Sequence, residues 1–390
     1  MTQLDLTKRY YKPTILQVVP ALFCGGVERG TIEISKMLKT VDYNIIVVSS
    51  GGTLVEELTI SGILHIHMNC NSKNPFIIWQ NAKKLATIIK EHKVDIVHAR
   101  SRAPAWSCYI AAKITKIKFI TTFHGIYNIS NFLKHFYNNV MLKGDRTIAV
   151  SQFVKQHILA NYTVPENKIV VINRGVEYRY FDPQNLDEAK LQKCKKKYGI
   201  TKDTPIILLP ARMVSWKGHI ALVEALSKLR DLNFYCLMVG DLSKHPNFTH
   251  RVKNLINSLK LQSKIQIFGN ELDMINLYGI SDIVLSTSIE PEAFGRTVTE
   301  AQSMNKLVIA TNIGGAIETV SDKKTGFHVN PNDPNDLAEK IAHCLSILGT
   351  SEANIIQQAA RKEVIEKFSL DFMLTKTLDL YKELLNIDLK

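Results

Sequence analysis

Short apolar runs rich in Val and Ile alternate along the whole chain with longer stretches in which apolar residues return every three or four positions. The short runs read as strands and the longer stretches as amphipathic helices. Candidate strands fall at 15–19, 44–48, 63–67, 96–98, 119–122, 147–150 and 169–172, then at 205–211, 233–239, 265–268, 283–286 and 307–310. Strand–helix alternation of this kind builds parallel sheets with crossover helices, an α/β fold. Between 180 and 197 the pattern breaks: Phe181-Asp182-Pro183 closes one series and a strongly basic helical stretch leads into the next. We therefore expect two Rossmann-like domains, 1–195 and 196–367. A final amphipathic helix over 370–385 (Phe372, Leu374, Leu378, Leu380, Tyr381, Leu385) places 368–390 back with the first. The predicted strands are followed by Gly, Ser or Asp near their carboxyl ends, where open α/β sheets hold ligands. Two such domains would face each other across a cleft.

With 390 residues, 45% of them hydrophobic, the chain can bury two cores. No run approaches the roughly 20 apolar residues of a membrane span and no secretory leader is legible, so a cytoplasmic protein is expected. The six cysteines (24, 70, 108, 194, 236, 344) have neither metal-ligand nor redox spacing and read as reduced thiols. Charge sharpens the picture. Up to Lys195 there are 26 basic and 14 acidic residues, a net of +12; the remainder has 23 and 22, a net of +1. A basic first half implies an anionic counterpart: nucleic acid, a phospholipid surface or a phosphorylated substrate. The cations are scattered (Lys83, Lys84, Lys113, Lys116, Lys118) and no nucleic-acid-binding motif accompanies them, which argues against nucleic acid. The aromatic and basic stretch 132–143, with Phe136, Tyr137 and Met141, has a composition suited to lipid contact, although helix packing accounts for it more simply.

Three constellations carry candidate chemistry. Gly25-Gly26-Val27-Glu28-Arg29-Gly30 follows the first strand and opens a helix. Adjacent glycines allow close backbone approach and a helix N-terminus offers N–H groups to an anion, yet a plain strand-to-helix turn would look the same. Arg212 and Lys217-Gly218 follow the strand at 205–211; guanidinium and ammonium together suit a diphosphate, and a solvated pair of cations is the alternative. The most specific is Glu292-Ala293-Phe294-Gly295 with Glu300, two carboxylates eight positions apart across a loop-to-helix junction. A helix starting near Gly295 would let both face one crevice, and Gly314-Gly315 supplies another loop at the same sheet edge. His98, with Arg100 and Arg102, ends a strand toward the expected cleft and is an acceptor-contact candidate. His65 and His67 alternate on a strand without a third ligand and read as packing.

Taken together, the GGVERG loop, His124-Gly125, Ser151, Arg212, Lys217, Glu292 to Glu300, Gly314-Gly315 and the returning helix resemble family 4 of the retaining GT-B glycosyltransferases over nearly the whole chain. The resemblance implies transfer of a hexosyl-type sugar from a nucleoside-diphosphate sugar to a glycan or lipid-linked acceptor, with retention, in lipopolysaccharide or other cell-envelope glycan assembly. It implies that Arg212 and Lys217 neutralise the departing diphosphate, that Glu300 binds the ribose, and that Glu292 and the backbone at Phe294 and Gly295 hold the sugar. Gly26 would lie near the phosphates, His124 beside the sugar, and Gly25, His98 and Arg100 on the acceptor side. Fixed cations and helix N-termini suit such chemistry, because negative charge grows on the leaving group.

No two aspartates are spaced as D-x-D, so neither a metal nor another cofactor is expected beyond the donor as co-substrate. The basic first half fits attachment to an anionic surface at the inner face of a membrane. Asn305-Lys306-Leu307 stands where the family commonly has Gly and Pro; Asn tolerates left-handed backbone, so the turn should survive. Arg296 points either to the nucleotide or outward. Two other readings stand beside transfer: a nucleotide-sugar epimerase of the same fold, and a non-catalytic protein that binds polyanions or membranes.

Overall fold

The computed structural model describes residues 11–23, 25–201 and 203–387. Contacts divide the chain into two units, Met1–Ile172 with Met373–Lys390, and Asn173–Phe372.

The first unit carries a seven-stranded parallel sheet made of β1 (Thr14–Val18), β2 (Asn44–Ser49), β3 (Leu64–His67), β4 (Ile96–Ala99), β5 (Lys118–Phe123), β6 (Arg146–Ala149) and β7 (Ile169–Val171). Their order is β3-β2-β1-β4-β5-β6-β7. All five residues of β1 are buried, as in a central strand covered on both faces, and its one buried amide side chain, Gln17, donates to Ser35 Oγ at 2.7 Å. The chain winds from β1 out to β3 and returns to place β4 on the other side of β1. The gap between the carboxyl ends of β1 and β4 is therefore the switch point, where ligands of such sheets bind. From Met373 onward the helix Leu370–Leu385 belongs to this unit.

The second unit repeats the plan with β8 (Ile206–Pro210), β9 (Tyr235–Val239), β10 (Ile265–Phe268), β11 (Ile283–Ser286), β12 (Leu307–Thr311) and β13 (Phe327–Val329), in the order β10-β9-β8-β11-β12-β13. Along β8, Ile207 and Leu209 enter one apolar cluster and Ile206 and Leu208 another, so helices cover both faces of the sheet. Its switch point lies between β8 and β11. β13, three residues interrupted by His328, leaves no apolar run in the sequence, whereas the equally short β7 is all Ile and Val and does.

The expected boundary at 195 lies inside the second unit. Residues 173–195 pack there because Phe181 is buried edge-on to Tyr278 at 5.9 Å and Arg361 Nη2 grips Asp182 Oδ2 at 2.5 Å. Leu186 and Leu191 close over Gly279, where a Cβ would come within 2.8 and 2.7 Å of them. Asn305 adopts φ 54°, the left-handed turn expected of it. Cys70, Cys108, Cys236 and Cys344 are buried free thiols and Cys194 is half-buried; Cys24 lies outside the described residues. Among the described residues no helix is long and apolar enough to cross a membrane.

Candidate active site

At the switch point of the second unit, the loop after β8 carries Arg212, exposed, and a single turn at Ser215–Lys217. That turn is clamped to the chain leaving β11. Ile289 N donates to Trp216 O at 2.8 Å, and Thr287 Oγ1 donates to Lys217 O at 2.9 Å. Gly218 makes the approach possible: it sits at φ 74°, and a Cβ there would fall 1.9 Å from Thr287 O. Trp216 lies under both cations, with Arg212 Cζ 5.7 Å and Lys217 Nζ 4.5 Å from its ring centroid.

Lys217 Nζ reaches Glu292 Oε1 at 2.6 Å, and Ser288 Oγ donates to the same oxygen. Burial pushes the ammonium below its ordinary value, Glu292 holds it up, and Arg212 adds a further downward push. Because Glu292 takes only part of the donor capacity of an ammonium with three N–H groups, the lysine retains capacity for a further acceptor.

The chain carrying Glu292 is shaped by Gly314-Gly315. Gly315 N donates to Glu292 O at 2.7 Å; a Cβ on Gly314 would meet that oxygen at 2.5 Å, and one on Gly315 would meet Ala293 O at 2.5 Å. Gly295, at φ 92°, then opens the helix Arg296–Ser303. On this helix Glu300 is buried, with Arg296 Nε donating to Oε1 at 2.9 Å and Tyr278 Oη to Oε2 at 3.0 Å. Burial raises the carboxyl above its ordinary value, opposed by Arg296 and the Tyr278 hydrogen bond. Each oxygen keeps a second lone pair for a ligand hydroxyl. Arg296 thus turns to Glu300. The Phe294 ring is buried edge-on to Phe368 at 5.6 Å, so only its backbone, not its ring, can serve a ligand.

In the first unit Gly25 is exposed at φ 138° and caps the helix Gly26–Thr40, directly after β1. The Glu28 carboxylate folds back beside it, with Oε2 2.6 Å from where a Gly25 Cβ would project. His124 is half-buried at the carboxyl end of β5, and Ser151 caps the helix Gln152–Asn161, accepting from Val154 N at 3.0 Å.

Two expected acceptor contacts are corrected by burial. His98 is wholly enclosed, and its ring nitrogens lie 2.7 Å from Tyr381 Oη and 2.7 Å from Thr122 Oγ1, which leaves it nothing to offer a ligand. Arg100 is 3% exposed, with one guanidinium nitrogen 3.4 Å from the position of a Gly30 Cβ. It is a core cation rather than a surface one. Arg102 donates to Asn138 Oδ1 at 2.7 Å and lies 4.7 Å over the Tyr127 ring. His65 and His67 bond locally to Ser49 Oγ and Ser50 O.

The sequence reading did not single out Ser288, Trp216, Thr287 or Tyr278. The i,i+4 spacing of Arg296 and Glu300 was a usable signal; Tyr278 reaches Glu300 from 22 positions away and leaves no local trace. Among the described residues no group of three or more His, Cys, Asp or Glu is arranged to hold a metal ion.

Residues 192–363 match the family "Glycosyl transferases group 1" and residues 24–179 match "Glycosyltransferase Family 4". A crystal structure of a glycosyltransferase from Rickettsia africae is 64% identical, with a TM-score of 0.92, covering 97% of this chain and 100% of that one. The Anabaena HepE structure in complex with UDP and glucose shares the fold at 22% identity, with a TM-score of 0.81 over 94% of this chain and 99% of that one. A curated relative from Campylobacter jejuni, N,N'-diacetylbacillosaminyl-diphospho-undecaprenol alpha-1,3-N-acetylgalactosaminyltransferase, is 26% identical over 70% of this chain and 73% of its own length. On this likeness, and with two parallel-sheet Rossmann-like units, the chain belongs to the group 1 and family 4 glycosyltransferases of the GT-B fold.

Proposed function

We propose that the protein transfers a hexosyl-type sugar from a nucleoside-diphosphate sugar to a glycan or lipid-linked acceptor of the cell envelope, lipopolysaccharide among the candidates, with retention. The observation that carries this reading is the meeting of Lys217, Arg212 and Glu292 at the switch point of the second unit, with Glu300 on the helix that follows. A diphosphate there would be met by two cations, a ribose by Glu300, and a sugar by Glu292 and the backbone of Phe294 and Gly295. Gly25 and Gly26 would approach the phosphates and His124 the sugar. The anomeric carbon–oxygen bond to the diphosphate breaks, a bond to the acceptor hydroxyl oxygen forms, and the hydroxyl proton passes to the departing phosphate. Negative charge then grows where Arg212 and Lys217 are fixed, which lowers the barrier.

The HepE complex with UDP and glucose supports the donor class, and the diphospho-undecaprenol in the Campylobacter relative's name supports a lipid-linked acceptor. Such an acceptor would place the enzyme in the cytoplasm at the inner membrane face. The two cations take over the charge neutralisation a metal would supply, so turnover should survive exhaustive chelation; loss that magnesium or manganese restores would overturn that part. The donor site is tested by thermal shift against uridine, guanosine and adenosine diphosphate sugars. Stabilisation by one donor that is lost in both Glu300→Ala and Lys217→Ala supports it. Equal stabilisation of the variants would refute the assignment.

A further inference from the structure

The helix Phe132–Asn139 of the first unit is inside out. Asn131 caps it, accepting from Lys134 N at 2.9 Å. Its polar side faces the protein. Asn138 is fully buried between Arg102 Nη1 and the carbonyl of Asn128; His135 contacts Asn161 O at 2.9 Å and stacks on Tyr162 at 4.8 Å; the Tyr137 carbonyl accepts from Trp106 Nε1 at 3.0 Å. Its apolar side faces outward, with Phe132 79%, Leu133 75% and Phe136 54% exposed. A helix selected only for packing buries the opposite face. Packing absorbs the end of the stretch 132–143, where Val140, Met141 and Leu142 are buried, but it leaves Phe132, Leu133 and Phe136 outside the core.

Basic residues surround these side chains. Phe136 stacks on Trp106 at 5.5 Å, Trp106 meets Tyr109 edge-on at 6.3 Å, and the Nζ atoms of Lys113 and Lys143 each lie 5.8 Å from the Tyr109 ring centroid. Lys134 sits on the helix itself. Lys113, Lys134 and Lys143 are exposed and have no carboxylate within 4.0 Å among the described residues. From 101 to 165 the chain holds eight basic residues (102, 113, 116, 118, 134, 143, 146, 155) and one acidic residue, Asp145, a net of 8 − 1 = +7.

Exposed aromatic and aliphatic groups ringed by lysines without a carboxylate partner among the described residues match the chemistry of an anionic bilayer surface, whose acyl boundary takes the apolar groups and whose phosphates meet the cations. We infer that the outward face of the helix Phe132–Asn139, with Lys113, Lys134 and Lys143, docks the first unit on an anionic lipid surface. This identifies the contact for the membrane association proposed above, and its measurement needs no sugar donor, so the two readings fail separately.

The test floats the full chain with vesicles of phosphatidylcholine alone and of phosphatidylcholine mixed with phosphatidylglycerol. Wild type should float with the mixed vesicles and far less with the neutral ones, decreasing as salt rises. Phe132→Ser with Leu133→Ser should weaken binding at least about tenfold, and Lys134→Glu with Lys143→Glu should remove the preference for phosphatidylglycerol. Both variants should keep the wild-type melting temperature, which confirms that they fold. Equal flotation of wild type and the Phe132/Leu133 variant overturns the proposal. So does a wild-type dimer in sedimentation that the same substitution dissociates without any vesicle binding, which would make this face a contact between copies.

Discussion

Lys217 Nζ and Glu292 Oε1 are joined at 2.6 Å, although 75 positions separate them in the chain. Both side chains are mostly buried, so each is the other's main compensation for lost hydration. A diphosphate that approaches Lys217 would compete with Glu292 for the ammonium and free the carboxylate for the sugar.

The first prediction concerns pH. Burial lowers the Lys217 ammonium from its ordinary value of 10.5, so the cation is lost on the alkaline side earlier than an exposed lysine's would be. Diphosphate affinity should fall as pH rises through that lowered value. Glu292→Gln removes the charge that holds the ammonium up, and should move the alkaline limb to still lower pH. Calorimetric titration of UDP across pH checks this; an unmoved limb means that Lys217 is not the titrating group.

A second prediction sets stability against function at Glu300. Its carboxyl is raised above 4.5 by burial, so the folded state holds its proton better than the unfolded chain does. The stability this contributes is complete below the unfolded value and is lost as pH rises through the folded one. Glu300→Gln, which carries no charge, should therefore melt higher than wild type at neutral pH and lose that advantage under acid. Donor binding should weaken in the same variant. Melting curves at several pH values, with and without donor, separate the two effects.

Gly218→Ala is expected to be costly. The new Cβ would fall 1.9 Å from Thr287 O at φ 74°, so the Ser215–Lys217 turn must leave the end of β11. A loss of about 2–4 kcal/mol is expected, together with loss of donor stabilisation as Lys217 moves. A variant that melts and binds donor like wild type would show that the turn has room to relax.

His98 should prove structural. Tyr381→Phe leaves a buried ring nitrogen unpaired and should cost about 1–3 kcal/mol, without changing the Michaelis constants of the folded enzyme. Burial holds the His98 imidazole well below its ordinary 6.5, so the unfolded chain binds a proton that the folded one does not. Its contribution is therefore present above the unfolded value and declines as pH falls below about 6.5. Acid titration of the melting temperature, compared between wild type and His98→Gln, reads this directly.

By itself the sequence determined the two α/β sheets, every strand of four or more residues and the start of a helix near Gly295. These depend on local period, β-branched runs and glycine positions, which act over a few residues. The tertiary structure decided the rest. Lys217 on Glu292 and Gly315 beneath Glu292 become neighbours only when sheet order brings the ends of β8, β11 and β12 together, and Tyr278 meets Glu300 only when the helix before β11 packs on the helix after it. His98 and Arg100 show the converse: strand position put them at the ligand edge, but burial depends on what packs above, here a tyrosine 283 positions away in the case of His98. The outward face of the helix Phe132–Asn139 was likewise undetermined, because an amphipathic period records two faces and only packing chooses which one meets the core.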